Sequence, residues 1–301
     1  MSNPIFNTGA FPDQFNEQKR ERRRFYMNSD AGTVSEDRRQ DQTYAQQHGV
    51  PGRQADSLEQ SYSLPDAAGS EGAPMTFDDV IRKTSISFLV VLLGAGITVT
   101  LGGSMEAPNL GVLSTLLLVG VFGGLGLGMV NAFKKEPSPG LILGYSLLQG
   151  FVVGAFSMIL EIQYPGIVLQ AVLATVSVFA AVLILFKSGK VRATPKLNKI
   201  FMVAVLGYFI FSMVNLGMML FGVTDSMFGM RAGWLGVVIG LLGIALATYS
   251  LVLDFTNIDE GVKAGVHQKY GWTAAFGLTV SLVWLYIEIL RLLAILRSMQ
   301  D

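Results

Sequence analysis

Cysteine is absent from the 301-residue chain, and histidine occurs only twice. Without cysteine the protein has no disulfides, thiol nucleophile, thiol redox switch or cysteine-bound zinc. His48 and His267 lie in polar segments, so a Ser–His hydrolase inside an apolar segment is not expected. No P-loop, HExxH or dinucleotide-binding glycine pattern occurs either. We therefore expect no enzymatic activity and no cofactor.

Charge is also scarce. Charged residues make up 15% of the chain and apolar residues 51%, and ten of the 22 Lys and Arg and thirteen of the 22 Asp and Glu lie in residues 1–83. The remainder is apolar enough to predict an integral membrane protein in contact with the lipid bilayer. The formal net charge is zero, so a nucleic-acid partner is not expected. The basic run Lys19–Arg24 is interpreted as a solvated charge run, with anionic lipid or RNA as alternative contacts.

Residues 1–74 form a polar amino-terminal segment without a sustained helical or strand period, which predicts a disordered tail. No apolar signal-peptide core is visible, so the first membrane helix should direct insertion and leave the tail in the cytoplasm. The stretch MTFDDVIRKT, residues 75–84, reads as an interfacial entry to that helix. Its acidic residues lie near the helix start, and Arg82 and Lys83 lie at the membrane edge.

The membrane domain, residues 75–298, contains seven apolar runs, each long enough to cross a bilayer, for which about 20 residues of helix suffice. We therefore predict an all-α integral membrane protein with seven transmembrane helices. The predicted spans are 85–103, 110–133, 140–161, 164–187, 200–221, 232–256 and 272–297.

The basic residues of the connections fall on one side if the spans alternate. They are Arg82, Lys83, Lys134, Lys135, Lys187, Lys190, Arg192, Lys196, Lys199, Lys263 and Lys269. The opposite connections carry only Arg231, and Arg297 lies near the last helix end. Because cytoplasmic loops are enriched in Lys and Arg, the amino terminus should be cytoplasmic and the carboxyl terminus outside. We expect a multi-pass protein of the cell membrane.

Glycines recur every fourth residue within several spans, as in Gly120, Gly124 and Gly128, and in the pairs Gly140 with Gly144, Gly150 with Gly154, and Gly236 with Gly240. Small residues at this spacing allow helix backbones to approach closely. Tight packing of this kind argues against a wide aqueous pore.

Three carboxylates remain in the predicted spans, and they are the candidates for chemistry. Glu161 lies at the end of span three, where a hydrated interfacial position is the simpler reading. Asp254 lies near the end of span six, where the helix could be emerging into water. Glu288 lies well inside span seven, where a pair with Arg291, three residues on, would offset its charge. Alternatively, Asp254 and Glu288 face one another and titrate as a coupled unit on an ion path.

An intramembrane aspartyl protease needs two opposed aspartates that share a proton. Asp254 could be one of them, but the second acid here is Glu288. The Gly-rich aspartate motif of the neighbouring protease helix is also absent, so this enzyme class is not favoured.

The segments LATYSLVLDFTNI and WLYIEILRLLAIL, together with MTFDDVIRKT, resemble the Bax-inhibitor-like family of membrane proteins, also called the transmembrane Bax inhibitor motif family, in a bacterial form. The resemblance covers residues 75–298. Two further segments, EPSPGLILGYSLLQG and YPGIVLQAVLATVSVF, are similar to the actinobacterial branch. The resemblance implies six helices around a central seventh, and residence in a bacterial inner membrane.

The resemblance further implies a pH-sensitive calcium leak in which acids of helices six and seven are the pH sensor. The sensor residues correspond to Asp254 and to Glu288, where the family has aspartate. They would bind calcium only transiently, as the transported ion. A basic partner on helix two corresponds to Lys134 or Lys135, and Arg291 is a further candidate because of its spacing from Glu288. The alternatives are a non-conducting regulator that binds other membrane proteins, such as a membrane protease, and a proton-coupled transporter.

Overall fold

The computed structural model describes residues 73–223 and 228–300, so the tail predicted for residues 1–74 falls almost entirely outside the described residues. Within these ranges seven helices are long and apolar enough to cross a membrane, which confirms the predicted fold class. They are α1 (Phe77–Leu101), α2 (Leu110–Phe133), α3 (Pro139–Gln163), α4 (Ile167–Lys187), α5 (Pro195–Leu220), α6 (Gly233–Lys263) and α7 (Gly271–Ser298). Short 3-10 turns, Gly229–Arg231 and Gln268–Tyr270, precede α6 and α7.

Several helices continue beyond the predicted spans at the ends that carry charge. α1 begins at Phe77 rather than at residue 85, because the Thr76 hydroxyl accepts a hydrogen bond from the Asp79 N–H at 3.2 Å and caps the first turn. α6 continues to Lys263 rather than ending at residue 256. Hydropathy marks only the apolar part of a helix, whereas charged side chains can extend the same helix into the interface.

α7 is the central helix of the bundle. Of the residues in its most apolar part 67% are buried inside the protein, against 11% for α5. α7 packs against α1, α3, α4 and α6, whereas α5 has its protein contacts mainly with α6 and the turn that precedes it. The arrangement therefore has a buried helix in the middle and one loosely attached helix at its side.

The glycine repeats pack α1, α2 and α3 closely together. A Cβ on Gly94 would lie 3.0 Å from the Cα of Gly150, so α1 and α3 meet backbone to backbone. A Cβ on Gly120 would lie 2.7 Å from the Leu148 carbonyl oxygen, so α2 approaches α3 in the same way. The expectation of tight helix packing is confirmed at these glycines, whereas no atom lies within 4 Å of a Cβ built on Gly140.

Ion pairs and a backbone hydrogen bond hold the charged connections together at one end of the bundle. Lys269 binds Glu136 at 3.1 Å, and Arg192 binds Asp259 at 2.6 Å. The Met75 N–H donates to the Val266 carbonyl at 2.7 Å. The start of α1 and the α2–α3, α4–α5 and α6–α7 connections thus share one end, which we call the charge-rich end. The basic residues do segregate as the sequence predicted, and their cytoplasmic location stays a prediction.

Candidate functional site

Asp254 is buried on α6, with 3% of its surface exposed. The Ser281 hydroxyl of α7 donates to Oδ2 of Asp254 at 2.5 Å, and the Ser250 hydroxyl lies 2.8 Å from that of Ser281. A Cβ on Gly277 would lie 2.9 Å from Oδ1 of Asp254, so this glycine makes room for the carboxyl group. Because a serine hydroxyl has a single hydrogen, Ser250 must be the donor to Ser281 while Ser281 donates to Asp254. The three side chains form one hydrogen-bonded chain.

Glu288 is buried on α7, with 2% of its surface exposed. Its Oε1 accepts hydrogen bonds from Arg291 Nη1 at 3.0 Å and from the Trp284 indole N–H at 3.2 Å, both from its own helix. Arg231 approaches the same oxygen at 3.9 Å from the turn before α6. The membrane protein therefore tolerates this carboxylate because two guanidinium groups and an indole surround it.

Arg231 belongs to this site although it lies in a connection. It is 4% exposed, and it donates to the Tyr208 hydroxyl at 3.0 Å and to the Ser212 hydroxyl, both on α5. Its guanidinium also lies 5.3 Å from the centre of the Phe211 ring. The Nε–H of Arg231 has no hydrogen-bond partner in the described part of the chain. We call Tyr208, Arg231, Glu288 and Arg291 the arginine cluster.

The turn before α6 is folded so that Arg231 points back into the bundle. Asn215 of α5 accepts from the Met230 N–H at 2.7 Å and donates to the Phe228 carbonyl at 3.3 Å, which fastens the turn to α5. Gly229 has a φ of 61°, which side chains other than glycine rarely adopt, and it lies directly against Asn215. The sequence contained one signal for this arrangement. Arg231 is the single basic residue in the connections opposite the charge-rich end.

One large cavity joins the two acidic positions. It has a volume of about 950 Å³ and lies between α2, α5 and α7, with Asp254 toward the charge-rich end and the arginine cluster toward the opposite end. Its remaining wall is mostly apolar and includes Leu118, Phe122, Leu206 and Phe209. The tight packing expected from the glycine repeats therefore holds for α1 to α3 and not for the side on which α5 lies.

Two sequence interpretations of the acids need correction. Asp254 does not emerge into water, because α6 continues for more than two turns beyond it and its carboxyl is buried. Nor do Asp254 and Glu288 face one another. Asp254 is bonded at Ser281, and Glu288 follows seven residues later on α7, a rise of about 10 Å along the helix. The alternative interpretation, a pair between Glu288 and Arg291, is confirmed.

The proposed basic partners on helix two are also wrong. Lys134 and Lys135 are exposed at the charge-rich end of α2, and neither lines the cavity. The basic partners of Glu288 are Arg291, which the helical spacing predicted, and Arg231, which the sequence did not assign to it. Glu161 does not line the cavity. Its carboxylate accepts a hydrogen bond from the Gly166 N–H at 2.7 Å and caps the start of α4.

Within residues 73–223 and 228–300, no three His, Asp or Glu side chains come together as a possible metal site. Calcium in proteins takes six to eight oxygen ligands. Within the described residues Asp254 and Glu288 therefore do not belong to one carboxylate cluster, and the transient calcium binding implied for them stays a prediction.

No curated protein matches the chain. A family model described as Bax inhibitor 1 like matches residues 3–298, and so extends through the tail, which the resemblance in the sequence did not cover. With nearly the whole chain matched, and with seven helices that can span a membrane, this protein belongs to the Bax inhibitor 1 like family.

Proposed function

We propose that this protein is a slow cation leak of the cell membrane, with calcium as the favoured ion and with protons as regulators. The observation that carries the proposal is that the two buried carboxylates of α6 and α7, Asp254 and Glu288, line the same cavity. Ionisable groups buried inside a membrane bundle are costly and commonly lie on ion or proton paths. The two acids would act in succession, because Glu288 lies about 10 Å along α7 from Ser281, the residue that holds Asp254.

Proton sensitivity would arise at Asp254. Protonation removes the charge that attracts a cation and turns an accepting oxygen into a donor. A proton on Oδ2 would donate to the Ser281 hydroxyl, which now donates to Asp254, and Ser281 and Ser250 would both reorient. Binding of one proton would thus rearrange the hydrogen bonds that connect α6 with α7.

The arginine cluster would be the barrier. Two guanidinium groups face a single carboxylate there, so the cluster repels cations and competes with calcium for Glu288. Conduction would require that Arg231 or Arg291 move away from Glu288. We interpret the described arrangement as a closed state.

Calcium flux into liposomes that contain the purified protein tests the proposal, measured over a series from acidic to mildly alkaline pH. We expect flux to depend on pH, and Asp254→Asn and Glu288→Gln to flatten that dependence. Glu161→Gln is the matched control, because it neutralises a carboxylate that only caps α4, and it should keep the midpoint of the unaltered protein. Unchanged pH profiles for all three variants would reject the sensor role of the two acids.

Arg291→Gln separates a barrier from a purely structural ion pair. Removal of one of two positive charges should raise the basal flux if the cluster is a barrier. A structural pair predicts lower thermal stability with no change in flux per folded protein.

The same liposomes distinguish the other two functions. A regulator of other membrane proteins would pass no ion in a purified system. A proton-coupled transporter would move protons in fixed proportion to calcium, which a pH-sensitive dye inside the vesicles would report.

A further inference from the structure

The cavity is open to a ligand of the bilayer as well as to an ion. Leu118 and Phe122 of α2 and Leu206 and Phe209 of α5 line it and are themselves exposed on the membrane-facing surface of the protein. An apolar wall that continues into an apolar outer surface favours entry of a hydrocarbon chain from the side, between α2 and α5.

The dimensions suit one acyl chain. The residues that line the cavity on α7 run from Gly277 to Arg291, a rise of about 21 Å, against about 30 Å for the hydrocarbon core of a bilayer. The volume of about 950 Å³ lies within the range of pockets that enclose small molecules, about 300–1,000 Å³. A two-chain phospholipid would need more space than this.

The polar end of the cavity suits an anion. The arginine cluster holds two guanidinium groups against one carboxylate, so one positive charge is left in excess. Arg231 is 96% buried in the protein, and its Nε–H is a donor without an acceptor in the described residues. An unpaired donor on a buried charged group is costly, and an anionic acceptor would relieve that cost.

From these observations we propose that the cavity binds a long-chain fatty acid. Its carboxylate accepts from Arg231 at the end of the bundle opposite the charge-rich end, and its chain extends along α5 and α7, past Trp284, toward Asp254. Arginine suits this head group because a planar guanidinium matches a carboxylate. The head group would then lie near the start of α6, at the membrane boundary where the head groups of bilayer lipids lie.

Binding of the fatty acid does not depend on the proposed function, but one consequence of it does. A chain in this position would occupy the stretch of the cavity between Asp254 and Glu288. If cations use this path, the fatty acid should block it.

Fluorescence of Trp284 measures the binding directly, since this side chain lines the cavity and donates to Glu288. The chain has three tryptophans, so the full-length variant Trp234→Phe, Trp272→Phe leaves Trp284 as the one reporter. Bromine on the acyl chain quenches a nearby indole. We expect saturable quenching by brominated stearic acid in detergent micelles, and binding weaker by about tenfold or more for its methyl ester, which lacks the charge that Arg231 would hold.

Arg231→Gln in the same background should weaken binding of the acid to the level of the ester. Arg297→Gln is the matched control, because Arg297 carries the same charge at the same end of the bundle but does not line the cavity, and this variant should bind as the parent does. If Arg231→Gln does not fold, the comparison of acid and ester on the parent decides alone. Quenching that never saturates, equal quenching by acid and ester, or equal quenching by a phospholipid with brominated chains would overturn the proposal.

Measurement of calcium flux with and without stearic acid distinguishes failure of the fatty-acid site from failure of the calcium leak. Saturable quenching in a protein that passes no calcium would support the fatty-acid site and reject the leak. Calcium flux in a protein that shows no saturable quenching would do the reverse.

Discussion

Gly243 of α6 determines how the arginine cluster fits against its neighbouring helix. A Cβ at this position would lie 2.7 Å from the Tyr208 hydroxyl and 2.8 Å from Oε2 of Glu288, closer than non-bonded atoms allow. Both side chains are held by other partners, Tyr208 by Arg231 and Glu288 by Arg291, so neither can move without the loss of a hydrogen bond. Gly243 thus provides the space that Tyr208 and Glu288 of the arginine cluster occupy, although it contributes no side chain itself.

Gly243→Ala should therefore destabilise the protein by about 1–3 kcal/mol, as overpacking of a filled site commonly does. Gly207→Ala is the control, since no atom lies within 4 Å of a Cβ built there. Because alanine is the better helix former, the control should be neutral or slightly stabilising. Thermal unfolding in detergent compares the two variants, and equal midpoints would show that the cluster adapts freely to an added methyl group.

The residues of the site were predictable to different degrees. Asp254 and Glu288 stand out as carboxylates in apolar runs, and helical periodicity alone brings Arg291 next to Glu288. Arg231 was not predictable as a partner, because its position depends on Gly229 and Asn215, which fold the turn back onto α5. The separation of the two acids was also hidden, since it depends on how far α6 and α7 are shifted along each other.

Among the elements, the start of α1 is attached to the start of α7 by a compact polar contact. Asp79 and Lys83 of α1 are both buried and lie 2.5 Å apart. Gln268 joins them from the turn before α7, where its carbonyl accepts from Lys83 at 2.6 Å and its amide donates to Asp79 at 3.0 Å. The predicted interfacial entry is thus a joint between two helices, and Lys83 is buried within it.

Removal of one charge at this joint should lower the free energy of unfolding more than removal of both charges. Asp79→Asn leaves Lys83 buried without its counter-ion, which we expect to cost on the order of 3 kcal/mol. The double variant Asp79→Asn, Lys83→Met removes the unpaired charge and should recover part of that loss. Asp78→Asn, a neighbouring and exposed aspartate, is the control and should change stability little. Thermal unfolding of the parent, Asp79→Asn, Lys83→Met and the double variant completes the cycle, and additive effects would rule out a coupled pair.

The helices themselves were largely predictable, because a run of about 20 apolar residues has few other structures open to it. The surroundings of each helix were less predictable. The apolar residues of α5 are spread around the whole helix, and such a helix can be equally well buried in protein or in lipid. Its sequence therefore could not indicate that it stands away from α2 and leaves the cavity between them.

For the whole molecule, the segregation of basic residues at the charge-rich end predicts which way the protein crosses the membrane. The chain lacks cysteine, so a single introduced cysteine reports its own accessibility without background. A cysteine at Ser188, exposed at the charge-rich end, should be protected from an impermeant thiol reagent in intact cells, and one at Ser104, exposed at the opposite end, should react. Reaction at Ser188 with protection at Ser104 would mean that the protein has the reverse orientation.

α5 contributes one wall of the cavity while it receives little support from the other helices. In a bilayer the acyl chains around α5 would supply the remaining support, so the lipid is a structural component of this fold. A detergent micelle replaces these lipid acyl chains with chains of different length and order. The width of the space between α2 and α5 is then a property of the preparation as well as of the sequence, and preparations in different detergents are not interchangeable samples of one protein.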